Sequence, residues 1–315
     1  METRMNGGRG QMLVTLKQII DRANAEGYAV CAPDVWSELD ARACLEAAEE
    51  LNAPLILDAS YRMNPDIMMF GKILTELAVK SRVPVAVHLD HGTEYEKKTQ
   101  HLLAIRAGFT SIMVDYSTLP FEENVQKTAE MVQIAHLAGV SVESEIGHVA
   151  RGYEGKKEEG MTDPDTAAEF ALRTGVDALA VAIGNEHGTY HTAPQIDFER
   201  LLAIKKKTGG LPLVLHGSSG LPEDQLRQAC REGINKVNIC QDIMLAARRA
   251  AMDPALESDG VYGLWSYVRQ GIRNRVAYNI EHIYGSAGKA WTPESKGLGD
   301  VTMPVRPYTP SYEGK

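Results

Sequence analysis

Val85-Ala86-Val87-His88-Leu89-Asp90-His91-Gly92 is an apolar run that turns abruptly into ionisable residues. Val83-Pro84 opens it and Gly92 closes it, so it reads as a buried strand of a parallel sheet that delivers an acid and an imidazole to its C-terminal end. In β/α barrels that end is where chemistry sits. Side chains alternate along a strand, which puts His88 and Asp90 on one face and leaves His91, as the first loop residue, able to turn to another target. Taken alone the stretch has a plain alternative, in which Asp90 caps the next helix and His91 is an ordinary loop histidine. Two later strands that end the same way weigh against it.

Outward from this strand the same rhythm repeats in both directions. Residues 15–26 carry Leu16, Ile19, Ile20 and Ala23 at helical spacing, with Gly27 placed to end a helix that can plug the bottom of a barrel. Strands are then expected at 28–32, 54–60, 83–90, 111–116, 140–147, 178–184, 211–217 and 236–240. Helices are expected at 38–51, 65–80, 94–107, 122–138, 164–174, 197–208 and 223–231, and from 242 onward. Eight strand-helix units with near-continuous apolar strands predict an α/β fold of the (β/α)8 TIM barrel type, with an N-terminal helix and extra C-terminal helices. No G-x-G-x-x-G follows the first strand, which argues against a dinucleotide-binding domain. A single domain over 1–315 is expected, with 1–11 a mobile leader, 148–161 an active-site lid loop and 257–315 a helical extension and tail.

The formal net charge of −9 repels phosphate backbones and anionic lipid, so neither nucleic acid nor a membrane surface is an expected partner. No apolar run approaches the ~20 residues of a membrane span, and the N-terminus lacks the apolar core of a signal peptide. Cys31, Cys44, Cys230 and Cys240 show no C-x-x-C spacing and read as free thiols of a cytoplasmic protein.

Three strand ends carry a histidine followed by glycine: His91, His187 and His216. Three neutral imidazoles converging on a barrel mouth supply the open three-ligand site of a catalytic zinc, with each glycine letting the backbone crowd the site. Singly, each is more often a structural histidine. His101, His136 and His282 fall in helical stretches, His88 points into the barrel core, and His148 and His191 stay in play. Asp115 ends the fourth strand, and Glu143 and Glu145 share a face of the fifth, as metal-supporting carboxylates or, for Glu143 above all, as part of a buried ion pair. Gly217-Ser218-Ser219-Gly220 before a helix, after the seventh strand, has the pattern of a phosphate cradle.

His88-Leu89-Asp90-His91, Glu143-Ser144-Glu145-Ile146-Gly147, Gly184-Asn185-Glu186-His187-Gly188-Thr189-Tyr190, Leu215-His216-Gly217-Ser218-Ser219-Gly220 and Lys236-Val237-Asn238-Ile239 together resemble the class II, zinc-dependent ketose-bisphosphate aldolases, which include fructose- and tagatose-bisphosphate aldolases. The resemblance runs in order from about residue 28 to 290, and the tagatose-type branch looks nearer. It implies that His91, His187 and His216 hold zinc, that Asp90 is the acid/base at the hydroxyl of the bond-forming carbon, and that Glu145 is an alternative or supporting metal partner. It implies too that zinc polarises the ketone and stabilises an enediolate, so that no lysine Schiff base is needed. A sugar phosphate would be the small-molecule substrate, with Gly217, Ser219 and Asn238 meeting the dihydroxyacetone phosphate portion, Ser60 and Gly188 nearby, and a monovalent cation (Na+ or K+) helping to bind the phosphate. Glu154 is the best match for the lid glutamate that exchanges the carbon-bound proton, with Glu158 or Glu159 as alternatives.

Departures from the family pattern touch substrate contacts and leave the zinc set intact. The Phe-Asn pair after the first strand is Ala32-Pro33, followed by Asp34; the phosphate-binding threonine is Gln241, and the residue before it is Cys240. Arg273 and Arg275, on a late helix, are candidates for a distal anionic group, and the C-terminal helices for assembly into a homodimer or homotetramer. Two rivals remain: a zinc hydrolase on the same fold, which usually wants a His-x-His pair on an early strand, and a zinc-retaining sugar-phosphate binding or regulatory protein without turnover.

Overall fold

The computed structural model describes residues 12–147, 160–188, 190, 194–259 and 261–294. Helix α1 (Leu16–Glu26) leads into eight β/α units: β1 (Val30–Pro33), α2 (Glu38–Glu50), β2 (Leu55–Ala59), α3 (Ile67–Lys80), β3 (Val85–Gly92), α4 (Thr99–Ala107), β4 (Ser111–Val114), α5 (Phe121–Leu137), β5 (Ser141–Ile146), α6 (Pro164–Thr174), β6 (Ala178–Val181), α7 (Phe198–Lys207), β7 (Leu213–Leu215), α8 (Glu223–Glu232), β8 (Ile234–Ile239) and α9 (Gln241–Ala251). Short α10 (Ala255–Asp259) and long α11 (Leu264–Asn279) follow, and α11 runs into a π-turn over Ile280–Tyr284. All eight strands are parallel, in the order β1-β8-β7-β6-β5-β4-β3-β2. The gap between β1 and β2 is closed by a bridge from Asp34 to Asp58, in which the Val35 N–H donates to the Asp58 carbonyl at 2.9 Å. This is the (β/α)8 barrel that the alternating pattern predicts.

What fills the barrel follows from strand alternation. Residues two apart point the same way, so the inward positions read Val30, Ala32, Asp34 on and just past β1; Ile56, Asp58, Ser60 on β2; Ala86, His88, Asp90 on β3; and Met113, Asp115 from β4. At the bottom, Val30, Ala32, Ile56, Ala86, Met113, Ala178, Ala180 and Val214 form one apolar cluster with Leu16, Ile19, Ile20 and Ala23 of α1. Four of the inward residues are alanines, and α1 completes the packing from below. Thr15 caps α1 in a reciprocal box with Gln18, and Gly27 ends it in the left-handed region at φ 70°. The segment before it pairs with β3, since Val14 N–H donates to Val85 O at 2.9 Å and Val85 N–H to Met12 O at 2.8 Å. Above the apolar cluster the inward side chains become ionisable and remain buried: Asp58, His88, Glu143 and Lys236.

Some boundaries differ from the sequence reading. The first strand starts at Val30, because Ala29 N–H is taken by Tyr284 O at 3.0 Å. The fourth helix starts at Thr99 instead of 94, because Lys98 lies at φ 55° and the preceding residues form their own turn. There the Gln100 side chain accepts from Thr93 and Glu94 N–H, while Glu94 accepts from Gln100 N–H. Strand β3 runs on through His91 to Gly92, with a register shift after Leu89, so His91 is still within the strand. The sixth and seventh strands are shorter than expected, since Ile183 and His216 already belong to the mouth. The four cysteines are unpaired. Among the described residues no helix is long and apolar enough to cross a membrane. The expected leader, most of the lid and the tail lie outside the described residues.

Ile20 is fully buried between α1 and the barrel floor. Ile20→Ala should therefore destabilise the protein by about 2–5 kcal/mol in denaturant titration.

Candidate metal centre and active site

Three imidazoles meet at the mouth. His91 arrives at the end of β3, His187 after β6 and His216 immediately after β7. One ring nitrogen from each lies within 4.8 Å of the others. The neighbouring residues Asp90 and His91 would point to opposite sides of a regular strand. The register shift and the positive φ of His91 (48°) bring both to the mouth, a backbone conformation that costs about 1–3 kcal/mol for a residue with a side chain. Gly92 accommodates this turn, because a Cβ there would collide with His101 and the Met113 carbonyl. Gly217, at φ 62°, similarly lets the chain pass the Glu186 carbonyl. Gly188 meets nothing within 4 Å, so crowding explains two of the three expected glycines.

Carboxylates behind two of the rings decide which nitrogens face the centre. His91 Nδ1 lies 2.8 Å from Asp115 Oδ2, and His216 Nε2 lies 2.9 Å from Glu143 Oε1. A carboxylate can only accept, so each takes the ring N–H and, in the neutral ring, leaves the opposite nitrogen as a lone pair. Those two lone pairs, His91 Nε2 and His216 Nδ1, face each other at 3.1 Å. Two acceptors at that distance repel unless a cation or a proton lies between them. Zinc–nitrogen bonds of ~2.0–2.1 Å at a tetrahedral angle put two such nitrogens ~3.3 Å apart, so the donor set fits a zinc ion.

Charge state leaves two of the three rings ready to donate a lone pair. Burial, with the neighbouring rings adding to it, lowers His187 to about 3 and His216 well below the ordinary range, so both stay neutral and able to donate a lone pair. Burial also opposes charge on His91, but Asp90, Asp115 and Glu145 outweigh it and raise the ring to about 10. Without a metal, His91 therefore carries a second proton, on Nε2, which can be donated to the His216 Nδ1 lone pair at 3.1 Å, and the same negative surroundings favour a metal cation in that proton's place. Glu145 is itself buried on β5, two residues beyond Glu143.

Asp90 is buried beside this centre, its Oδ2 3.9 Å from His91 Nε2, and its Oδ1 accepts from Asn238 Nδ2 at 3.0 Å. Asn238 Oδ1 in turn accepts from Lys236 Nζ at 2.8 Å. Ser60 is buried past the end of β2. Ser218 Oγ donates to Asn238 O, and Ser219 Oγ accepts from Asp242 N–H at 3.2 Å, tying the Gly217–Gly220 turn to the start of α9. Gln241 is the first residue of α9, at the same rim. Arg275 is committed within its own chain to Asp242, at 2.7 Å, and stacks on Tyr278, while Arg273 pairs with Glu50. The structure thus gathers Asp90, His91, His187, His216, Glu145, Gly217 and Asn238, and holds Arg275 through Asp242. Glu154, His148 and His191 lie outside the described residues.

Two residues that the sequence reading named without a role stand at the mouth. Tyr190 locks the mouth by donating to Gly217 O at 2.8 Å and accepting from Glu186 N–H at 2.9 Å. Asp34, just past β1, is buried against Cys240 and Asp90. Burial and the charge of Asp90 raise its carboxyl to about 8, although the Cys240 thiol partly offsets them. An inward position three residues above Ala32's neighbour Cys31, at the C-terminal end of a strand, was the available signal.

The chain belongs to a known class of metal-dependent lyase barrels. The family model described as "Fructose-bisphosphate aldolase class-II" matches residues 14–289, and the protein is a member of that family. It is 36% identical over 288 residues to a Staphylococcus aureus fructose-bisphosphate aldolase, covering 88% of this chain and 99% of that protein. The crystal structure of the YdjI aldolase from Escherichia coli superposes with a TM-score of 0.79 at 34% identity, covering 89% of this chain and 100% of the other. A Campylobacter jejuni fructose-bisphosphate aldolase, 23% identical with a TM-score of 0.74 over 88% and 97% of the two chains, shares the fold.

The raised Asp34 carboxyl gives a pH test. Its folded pKa of about 8 lies above the ~3.9 of an unfolded aspartate, so folding takes up a proton between those values, and stability contributed by this group is lost as pH rises towards 8. Asp34→Asn keeps the shape without the proton. Its melting temperature should exceed that of the wild type at pH 9 by more than at pH 5; equal differences at both would remove Asp34 as the source.

Proposed function

We propose that this protein is a zinc-dependent aldolase that reversibly cleaves a ketose phosphate to dihydroxyacetone phosphate, or a related ketone, and an aldehyde. The observation that carries this reading is the pair of imidazole nitrogens facing each other at 3.1 Å, each ring fixed from behind by a carboxylate, with Asp90 beside them. Bound to His91, His187 and His216, zinc supplies Lewis acidity at the substrate ketone.

The remaining chemistry belongs to the chain. Asp90 takes the proton from the hydroxyl on the carbon that becomes the aldehyde and returns it in the condensation direction. Asn238 holds Asp90 Oδ1 at 3.0 Å and so fixes which carboxylate oxygen meets the substrate. Glu145 adds negative charge beside His91 and is an alternative partner for the metal. The Gly217–Gly220 turn, Ser60 and the start of α9 at Gln241 surround the phosphate position, where a monovalent cation would offset charge. A glutamate of the lid, Glu154 for preference, exchanges the carbon-bound proton of the ketone half. The enzyme acts in the cytoplasm.

Substrate choice follows from the rim. Gln241 is longer than threonine, and its amide both donates and accepts, so it narrows the phosphate position or favours another head group. Pro33 brings no side-chain amide and no backbone donor, and Asp34 adds a carboxyl beside Asp90. These features disfavour the doubly phosphorylated fructose 1,6-bisphosphate relative to another ketose phosphate or acidic keto-sugar.

A cleavage screen of ketose mono- and bisphosphates, with and without chelator, tests the proposal by triose phosphate release. Activity abolished by chelator and restored by zinc is expected; chelator-resistant cleavage would overturn it. His91→Ala, His187→Ala and His216→Ala should each lose zinc in metal analysis. Asp90→Asn should lower turnover about 10²-fold or more with zinc content near normal. For fructose and tagatose bisphosphates kcat/KM should fall below roughly 10⁴ M⁻¹s⁻¹, the lower edge of the ordinary enzymatic range.

A further inference from the structure

Lys236 is fully buried in the middle of the barrel, with its Nζ 3.2 Å from Asp58 Oδ2, 3.0 Å from Glu143 Oε2 and 2.8 Å from Asn238 Oδ1. Both carboxylates are also fully buried, and His88 packs beside Glu143 at 3.6 Å. Ions in such a place are costly to desolvate, and packed apolar side chains often stabilise a core as well or better. Stability therefore gives little reason for the cluster. Its outward connections do.

Each of two groups that hold Lys236 also holds a residue of the mouth. Asn238, whose carbonyl oxygen accepts from the ammonium, has only its NH2 left to turn towards Asp90, and donates to Oδ1 at 3.0 Å. Without the ammonium the amide can flip and set its oxygen against the carboxylate. Glu143 uses one oxygen on Lys236 and the other on His216 Nε2. That second contact keeps His216 Nδ1 as the lone pair that faces His91. Lys236 and Asn238 are two apart on β8 and share its inward face, which is why one strand supplies both the charge and the amide.

We propose that Lys236 is a positioning residue, which sets Asp90 through Asn238 and His216 through Glu143. It touches neither the substrate nor the metal position. One buried ammonium thus aligns the proton-transfer group and a metal ligand together. The roles of the two aligned residues rest on the function proposed above, whereas the alignment itself is a property of the folded chain.

Lys236→Met tests this, with Lys236→Met/Asp58→Asn as the second variant, since the pair keeps the net charge of the cluster and restores folding if the single change unfolds the protein. In the folded variant, kcat should fall about 30- to 100-fold with KM changed less than about threefold, and zinc affinity by chelator competition should weaken about tenfold. A crystal structure should show the Asn238–Asp90 contact broken or the amide reversed. Asp58→Asn alone disturbs the same cluster but neither connection, and should lose less than about threefold in kcat. A Lys236 variant that melts earlier yet keeps wild-type kcat, zinc affinity and Asp90 position would overturn the proposal and leave Lys236 a structural ion. The crystallographic and zinc measurements need no substrate, so a protein without aldolase activity would refute the function and still decide this point.

Discussion

The site depends on where two imidazole protons go. Asp115 takes the Nδ1–H of His91 and Glu143 the Nε2–H of His216, which leaves His216 Nδ1 a lone pair and makes His91 Nε2 a second one, 3.1 Å away, once its own proton is given up. While His91 Nε2 keeps that proton the two rings hydrogen-bond to each other, and a metal has to displace it. The carboxylates stand where they do because of strand parity. Asp115 continues the inward row of Met113 beyond β4, and Glu143 occupies the inward row of β5. Asp115 is held in its ionised form chiefly because the His91 hydrogen bond and charge more than offset its burial, and Ser117 adds two further hydrogen bonds.

Much of this was legible from periodicity. An apolar run ending in Asp90-His91-Gly92 states its own burial, direction and functional end, and seven more runs of the same kind close a barrel. The plug helix was legible from Leu16, Ile19, Ile20 and Ala23, all of which are fully buried. Local pattern does not carry what depends on partners distant in sequence. The left-handed turn at His91 is imposed by the packing of Gly92 on His101 and β4. The late start of α4 comes from a turn that Glu94 and Gln100 build for each other, although the same residues have helix propensity. Lys236 reads as one polar residue in a strand until the fold places Asp58 and Glu143 against it.

The rim between β1, β2 and β8 holds the residues that the sequence reading set apart from the family pattern, and they are linked in space. Asp34, which follows Ala32-Pro33, is hydrogen-bonded to Cys240, the residue before Gln241. Two changes far apart in sequence are therefore one change in the mouth, a carboxyl paired with a thiol. Burial, and Asp34 beside it, push the Cys240 thiol well above its ordinary range, so it remains a neutral S–H donor. A protonated Asp34 and a neutral Cys240 form a compact polar pair that carries no charge near neutrality.

The layered interior ties this chemistry to the opposite end of the barrel. Lys236, Asp58 and Glu143 interact strongly because water is excluded from them, and effective screening falls with exclusion. From below, that exclusion comes from small side chains such as Ala86, Ala178 and Ala180, which cannot fill the barrel floor by themselves. Leu16, Ile19 and Ile20 fill it. If α1 frayed, water would enter beneath the ionic layer, the Lys236 contacts would weaken, and Asn238 and Glu143 would lose the group that orients them. The plug is accordingly part of what keeps Asp90 and His216 in place, through contiguous packing and without any direct contact with the mouth.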